Sequence, residues 1–302
     1  MADLALAVDV GGTKMAAALV HPDGTVATHH TIATPHDDTE STWHALEDLL
    51  RQVAGNQALA GVGIGSAGPA DHSAGSVSPV NIPVWRDFPL VARISELFPG
   101  TRASLAGDGI CAAAGEHWLG AGRGHDDLLV MVVSTGVGGG LVQNGRLVQG
   151  PTGNAGHIGH MVVDFGGVPC ACGGRGCVEA YASGPSMVRW AREQGWPGRT
   201  AVELAAAGRG GDSVALRAFA RAGHALAAGI VSTAAICDLS RAVIGGGVSE
   251  AADLLLPAIQ AGLKAHGRLG FLREISLATA ALGGRAGLLG AAALVLHPER
   301  YL

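Results

Sequence analysis

The sequence of 302 residues has little charge and no long apolar segment. Only 15% of the residues are Asp, Glu, Lys or Arg, and the formal net charge is −5. Nucleic-acid-binding proteins cluster Lys and Arg to neutralise phosphates, so this composition argues against nucleic acid as a partner. No apolar run reaches the roughly 18 residues that span a bilayer, and no basic segment precedes an apolar one at the N-terminus. We therefore expect a cytoplasmic protein with neither a signal peptide nor a membrane partner.

Glycine, by contrast, is abundant. The chain contains 48 glycines, about twice the usual share of roughly 7%, without the Gly-X-Y repeat of collagen. These glycines cluster at the ends of apolar runs, where the backbone must turn tightly or approach a ligand. Because 48% of the residues are hydrophobic, a chain of this length can bury a sizeable core.

The order of apolar segments predicts an α/β fold with two similar halves. Leu4–Val10 and Leu128–Val133 are predicted buried strands, and each is followed by a glycine-rich turn and a returning strand. Thr39–Ala54 has apolar residues at helical spacing, and a second helix is predicted from Asp108. Mixed strands and helices are typical of the α/β class. No polar linker separates two parts of the chain, so we expect any domain division to be discontinuous.

Three glycine-rich segments end predicted strands and are candidate phosphate sites: Asp9–Lys14, Ser134–Gly140 and Gly245–Val248. A bound phosphate needs backbone N–H groups at close range without a Cβ in the way. The first segment also offers an acid that can hold Mg²⁺, and the hydroxyl of Thr13 and the ammonium of Lys14 for phosphate oxygens. A mononucleotide site is therefore predicted.

Two other nucleotide-binding patterns are excluded. The P-loop spacing is absent from the sequence. Gly63–Gly68 matches the dinucleotide fingerprint, but Pro69 and a turn-rich segment follow it where that fingerprint requires a helix.

Three of the five cysteines, Cys170, Cys172 and Cys177, lie within eight residues. This crowding indicates a metal site and a reducing compartment rather than a disulfide framework. Zn²⁺ favours four tetrahedral ligands, and His157 or His160 can supply the fourth. A zinc ion held entirely by protein ligands would be structural.

Together these segments resemble the ROK family of bacterial sugar kinases and related regulators, and the resemblance covers essentially the whole chain. Asp9–Lys14 is similar to the family's first phosphate motif, Ser134–Gly140 to its second and Gly245–Val248 to its adenosine motif. The most specific match is Asn154–His160 followed by Cys170–Glu179, which resembles the family's sugar-and-zinc signature.

The resemblance implies an actin-like, hexokinase-type ATPase fold with a cleft between two lobes. It places residues 1–107 and 288–302 in a small lobe and residues 108–287, with the zinc loop, in a large one. It also implies ATP, Mg²⁺ and structural Zn²⁺ as cofactors, and a dimer or tetramer. The implied nucleotide-site residues are Asp9, Gly11, Gly12, Thr13, Lys14, Thr135, Gly136, Gly138, Gly245, Gly246, Gly247 and Val248. The implied zinc ligands are His160, Cys170, Cys172 and Cys177.

For the acceptor, the resemblance implies transfer of the γ-phosphoryl group of ATP to the 6-hydroxyl of a hexose. Asp108, at the start of a predicted helix ending in Gly-Glu, matches the family's catalytic base. The implied sugar-site residues are Gly68, Asn81, Gly107, Asp108, His157, His160 and Glu179.

Two positions depart from the family pattern. Gly107 stands where the family usually has Asn before the base, and His157 stands where it usually has Glu. Both family residues bind the sugar near its C3 and C4 hydroxyls, and a site built for a hydroxyl loses heavily when a partner is missing. We therefore expect one of three outcomes: the substrate differs from glucose around C3, the sugar site uses other side chains or water, or the protein is a weak catalyst. The retained motifs argue against a weak catalyst.

These departures leave alternatives open. A neutral His157 imidazole can accept a hydrogen bond from an amine and Gly107 leaves room for one, which favours kanosamine (3-amino-3-deoxyglucose), a sugar of actinomycete antibiotic pathways. Ordinary glucose is an equal alternative. A catalytically weak sugar-binding sensor remains a rival, and a polyphosphate donor gains no support from the net charge. A repressor of the same family is not expected, because Asp9 leaves no room for a preceding helix-turn-helix.

Overall fold

The computed structural model describes residues 4–302, which form twelve strands and eleven α-helices. The strands are β1 (Leu4–Val10), β2 (Lys14–Val20), β3 (Val26–Ala33), β4 (Leu59–Ser66), β5 (Ala70–Asp71), β6 (Ser76–Val77), β7 (Ala103–Gly107), β8 (Leu128–Val133), β9 (Val137–Gln143), β10 (Arg146–Val148), β11 (Arg241–Gly245) and β12 (Ser276–Thr279). The helices are α1 (Thr39–Ala54), α2 (Leu90–Leu97), α3 (Asp108–Leu119), α4 (Glu179–Ala182), α5 (Gly184–Glu193), α6 (Ala201–Arg209), α7 (Ser213–Cys237), α8 (Ala252–His266), α9 (Gly270–Arg273), α10 (Ala286–Leu296) and α11 (Pro298–Tyr301).

Two five-stranded sheets have the same topology. The first has the order β3-β2-β1-β4-β7, with an antiparallel meander from β1 to β3 and parallel pairing of β1 with β4 and β4 with β7. The second has the order β10-β9-β8-β11-β12, with β11 parallel to both β8 and β12. The repeated order confirms the predicted α/β class and its two similar halves.

The first sheet forms a core with α1. Asp38 caps this helix by accepting a hydrogen bond from Ser41 N over 2.8 Å. The helix then buries Trp43, Leu46 and Leu50 in a cluster with the apolar residues of β1 and β4. This burial fixes β1, whose end carries the first predicted phosphate turn.

The chain divides into two compact units. The first comprises Met1–Asp126, Gly140–Gly156 and Gly284–Leu302, and the second comprises Asp127–Gly139 and His157–Gly283. The lobes expected from the sequence divide the chain elsewhere, at 107/108 and 287/288. The two divisions differ because α3 packs against α10 within the first unit, so the chain stays there until Asp126.

The packing of α3 on α10 depends on glycine. A Cβ at Gly290 would overlap the Cys111 carbonyl, and a Cβ at Gly115 would overlap the Ala286 carbonyl. The two backbones can approach only without those side chains. Because Asp108 opens α3, this contact fixes the position of the predicted base within its unit.

The remaining α-helix of note is α7 in the second unit. By length and composition this helix is long and apolar enough to cross a membrane, although the sequence predicted no membrane-spanning segment. Its apolar window is 56% buried inside the protein, as is typical of a core helix.

Candidate active site

The first glycine-rich turn brings an acid and a cation to the end of β1. Asp9 lies on β1, and Lys14 opens β2 across the turn, where Gly11 N donates to Lys14 O over 3.0 Å. Burial first, and then the nearby Asp108 carboxylate, raises the pKa of Asp9 to about 6, while Lys14 acts in the opposite direction. The first unit thus brings together two acids and a cation that were predicted from separate motifs.

Asp108 occupies the first position of α3. Gly107 caps the helix in an extended conformation, and the exposed Asp108 carboxylate accepts a hydrogen bond from Gly109 N over 2.7 Å. A Cβ at Gly107 would meet only the Ile110 side chain, at 3.7 Å. The backbone at Gly107 therefore does not require glycine, and the missing side chain leaves open space beside Asp108.

The predicted sugar residues of the first unit flank the same turn. Asn81 packs against Gly12, where a Cβ would overlap its side chain. Gly68 precedes a cis proline, and its carbonyl accepts a hydrogen bond from Val80 N over 3.2 Å. The segment that follows β4 is thereby held beside Asn81.

In the second unit, the second glycine-rich segment meets the predicted sugar residues. Val137 N donates to Glu179 Oε2 over 2.9 Å, and a Cβ at Gly136 would lie 2.7 Å from the same oxygen. A Cβ at Gly159 would overlap the Val137 carbonyl. The segment is not wholly a turn as predicted, because β9 already begins at Val137; the sheet pairing extends into the glycine run.

His157 and His160 lie at opposite ends of one short turn. Ile158–His160 forms a 3-10 helix with His157 as its cap, and both histidines are exposed. Their rings stack with centroids 6.2 Å apart and an interplanar angle of 24°. The residue that departs from the family pattern therefore lies beside a predicted sugar ligand.

The four predicted zinc ligands form one cluster. Ligand atoms of His160, Cys170, Cys172 and Cys177 all lie within 4.8 Å of one another. The Cys172 and Cys177 sulfurs are 3.8 Å apart, which equals the edge of about 3.8 Å for a tetrahedron with Zn–S bonds of about 2.3 Å. His160 turns Nδ1 toward Cys170 Sγ at 3.8 Å, which leaves its Nε2 on the other side of the ring. The geometry selects His160 over His157 as the histidine that can complete a metal site.

The second unit also contains a cavity of about 1010 Å³, large enough for a nucleotide. Thr135, Gly247 and Val248, three of the predicted nucleotide residues, line it. Gly245 and Gly246 do not line the cavity. Gly245 is the last residue of β11, and Gly246 turns at φ 86° with its α-carbon against the Val133 backbone. The remaining lining residues are Ser134, Gly184, Pro185, Val188, Arg189, Arg192, Glu193, Gly195, Trp196, Pro197, Arg199, Thr200, Ala201, Val202 and Glu250.

The part of the cavity wall that lies between α5 and α6 was not predicted from the sequence. Trp196 is buried, and its ring packs so closely on Gly198 that a Cβ there would overlap it. Arg189, Arg192 and Arg199 line the same cavity. The Gly-Trp-Pro-Gly run was a signal for an ordered turn, but nothing in its spacing indicates a ligand.

Comparisons with known proteins identify the family of the chain. The profile of the ROK family matches residues 5–297. The chain is 32% identical over 314 residues to a glucokinase of Streptomyces coelicolor, with 98% of each chain covered. It is 37% identical over 292 residues to an N-acetylmannosamine kinase of Shigella boydii, covering 96% of this chain and 97% of that one.

Among solved structures, a ROK family glucokinase from Streptomyces griseus in complex with glucose and AMPPNP superposes with a TM-score of 0.82. It is 34% identical, and the match covers 96% of this chain and 98% of that chain. The chain therefore belongs to the ROK family and has the actin-like, hexokinase-type ATPase fold.

Proposed function

We propose that this protein is an ATP-dependent sugar kinase that phosphorylates the 6-hydroxyl of a hexose. The grouping of Asp9, Lys14 and Asp108 is the observation that carries this proposal, because the pKa of Asp9 responds to both other residues. A carboxylate for the acceptor alcohol and a cation beside a turn of bare amides are what phosphoryl transfer requires. The glucokinase and N-acetylmannosamine kinase relatives support the same class of reaction.

In the proposed reaction, Asp108 accepts the proton of the sugar O6 and aims that oxygen at the γ-phosphorus. The O6–P bond forms, the bond from the γ-phosphorus to its bridging oxygen breaks, and ADP leaves with the electron pair. The transition state is loose, so alignment and charge neutralisation supply most of the rate. Backbone N–H groups of Gly12, Thr13, Thr135, Gly136 and Gly138 would bind the phosphates. The N–H groups of Gly11 and Val137 already donate to Lys14 O and Glu179 Oε2.

Mg²⁺ fits the acid at the end of β1. Burial and a second carboxylate disfavour the ionised form of Asp9 more than Lys14 favours it, so a divalent cation there would stabilise the ionised carboxylate. When bound, the cation would neutralise the β- and γ-phosphates. The cavity lined by Thr135, Gly247, Val248 and Trp196 would hold the adenosine.

Zn²⁺ fits the cluster of three cysteines and His160. Burial and the neighbouring sulfurs raise the pKa of Cys177 to about 12, so a cation is needed to hold three thiolates together. Zinc would fix the imidazole plane of His160 and so aim its other nitrogen at the sugar. Glu179, held by Val137 N, would accept from a sugar hydroxyl.

For the acceptor, we propose glucose or its 3-amino-3-deoxy analogue, kanosamine. Two observations, each within its own unit, support an altered preference near C3: the open space at Gly107, and the position of His157 beside His160. Glucose is supported by the glucokinase relatives.

Steady-state kinetics with MgATP and glucose, kanosamine and N-acetylmannosamine test the proposal, with ³¹P NMR to identify the phosphorylated oxygen. We expect sugar-dependent ADP release and a 6-phosphate product. A higher kcat/KM for glucose would remove kanosamine as the substrate. Sugar binding without ADP release for any sugar would overturn the kinase assignment in favour of a sensor.

A further inference from the structure

The segment that follows β3 holds the first glycine-rich turn by three hydrogen bonds. Thr34 Oγ1 donates to Gly11 O over 2.7 Å, and Thr34 N donates to Thr13 O over 3.1 Å. His36 Nε2 lies 2.9 Å from Gly12 O, and because a carbonyl only accepts, this nitrogen must carry the proton. Three successive carbonyls of the turn are thus bound by two side chains and one amide.

These bonds determine where the turn presents its donors. In a planar trans peptide the C=O of one residue and the N–H of the next point in opposite directions. The carbonyls of Gly11, Gly12 and Thr13 point toward Thr34 and His36, so the N–H groups of the residues after each of them point away. Successive N–H groups on one side of a turn form an anion-binding concavity.

We propose that Thr34 and His36 are positioning residues that hold this turn in its phosphate-binding conformation. The inference rests on the proposed function, in which the turn binds the donor phosphates. Glycine makes the turn flexible, since it populates many backbone conformations, and the hydrogen bonds select one of them. Asn81 contacts Gly12 at its α-carbon, so the turn is contacted both there and at its carbonyls.

The two residues separate positioning from folding. Thr34 is buried, and its loss would disturb packing as well as the turn. His36 is exposed, so its replacement leaves no cavity, and surface substitutions usually change stability little. His36 therefore gives the cleaner test.

The experiment compares the full chain with His36→Ala, His36→Phe and His36→Gln, and uses His30→Ala as the control. Phe keeps a ring without a donor, whereas Gln restores an N–H donor of similar reach. His30 is an exposed histidine on β3. For Ala and Phe we expect kcat/KM for MgATP to fall about 3- to 10-fold, as for loss of one neutral hydrogen bond. The KM for sugar and the melting temperature should stay unchanged, and Gln and the His30 control should match the wild type.

Two results would overturn the proposal. One is an unchanged kcat/KM for MgATP in both His36→Ala and His36→Phe. The other is a parallel change in the sugar KM and the melting temperature, which would indicate a purely structural role. If the wild-type protein transfers no phosphoryl group, the proposed function fails instead. Calorimetric titration with MgATP then tests the positioning role separately, with weaker binding expected only for the Ala and Phe variants.

Discussion

At the scale of single residues, the buried carboxylate of Asp9 destabilises the folded protein when it is ionised. Its pKa is raised to about 6 from 3.8, with burial as the largest cause and Asp108 as the second. A carboxyl group whose pKa is raised on folding stabilises the folded state when it is protonated. This stabilisation is complete below the pKa of the group in the unfolded chain, and it is lost as the pH rises through its pKa in the folded protein. The ionised Asp9 therefore destabilises the metal-free protein above about pH 6.

We predict that Asp9→Asn stabilises the metal-free protein at pH 7.5, by about 3 kcal/mol, from a shift of about two pKa units at roughly 1.4 kcal/mol each. The gain should be largely lost near pH 3, below the unfolded pKa of 3.8, where Asp9 is mostly protonated in both states. Urea unfolding with EDTA at both pH values measures it. Asp38→Asn is the control. Because hydrogen bonds from Ser41 lower the pKa of Asp38, this variant should be less stable than the wild type at pH 7.5. An equal gain from Asp9→Asn at both pH values would contradict the prediction.

Gly107 and His157 carry the prediction on sugar choice. A side chain fits at Gly107, since a Cβ there meets only Ile110 at 3.7 Å. Gly107→Asn combined with His157→Glu should raise the ratio of kcat/KM for glucose over kanosamine about tenfold or more, because each change adds a partner for a sugar hydroxyl. Competition kinetics with both sugars measure the ratio. A ratio that stays constant would show that neither position faces C3.

At the scale of elements, the start of β9 couples the two predicted substrate sites of the second unit. Val137 donates to Glu179 and contacts Gly159 through its carbonyl. The residues predicted to bind the sugar therefore pack directly on the segment predicted to bind phosphate.

This coupling predicts that Gly136→Ala impairs sugar binding although Gly136 lies in a phosphate motif. A Cβ would lie 2.7 Å from Glu179 Oε2 and displace the carboxylate. We expect the sugar KM to rise about tenfold or more, as for loss of a hydrogen bond to a charged group. Gly138→Ala is the matched control, because a Cβ there meets nothing within 4 Å and should leave the sugar KM unchanged. Equal sugar KM values for both variants would contradict the coupling.

The proposed zinc site of Cys170, Cys172, Cys177 and His160 gives a second prediction at this scale. Elemental analysis should find one zinc per chain, and Cys172→Ser should lose it together with thermal stability, since a metal-bound loop folds with its metal. Cys237→Ser, on α7 and outside the cluster, should retain the zinc. A wild-type protein without zinc would refute the assignment.

At the scale of the whole molecule, the sequence predicted the fold class, two similar halves and several exact elements, including α1 and α3. These elements have strong periodicity or a clear start signal. The division into units was harder to predict, because α3 joins the first unit through the close approach of Gly115 and Gly290 to α10, which leaves no periodic signal.

The candidate site could be predicted where it consists of local sequence motifs, but not where it depends on contacts between residues that are distant in sequence. Local spacing predicts the grouping of the three cysteines with a histidine and the place of Asp108 at the start of α3. The cavity wall around Trp196 and the hydrogen bonds from Thr34 and His36 depend on residues distant in sequence from the turns they support. Their residue types are ordinary in loops, so only the folded arrangement identifies them.

The most direct test of the account is phosphoryl transfer by the wild-type protein and by Asp108→Asn, measured with calorimetric binding of MgATP. The wild type should form ADP and hexose 6-phosphate in equal amounts. Asp108→Asn should lower kcat about 10²- to 10⁴-fold, as expected for loss of a general base. Its affinity for MgATP should be unchanged or higher, because removing the second carboxylate favours the ionised form of Asp9. Turnover by Asp108→Asn within tenfold of the wild type would contradict the assignment of the base and the kinase mechanism built on it.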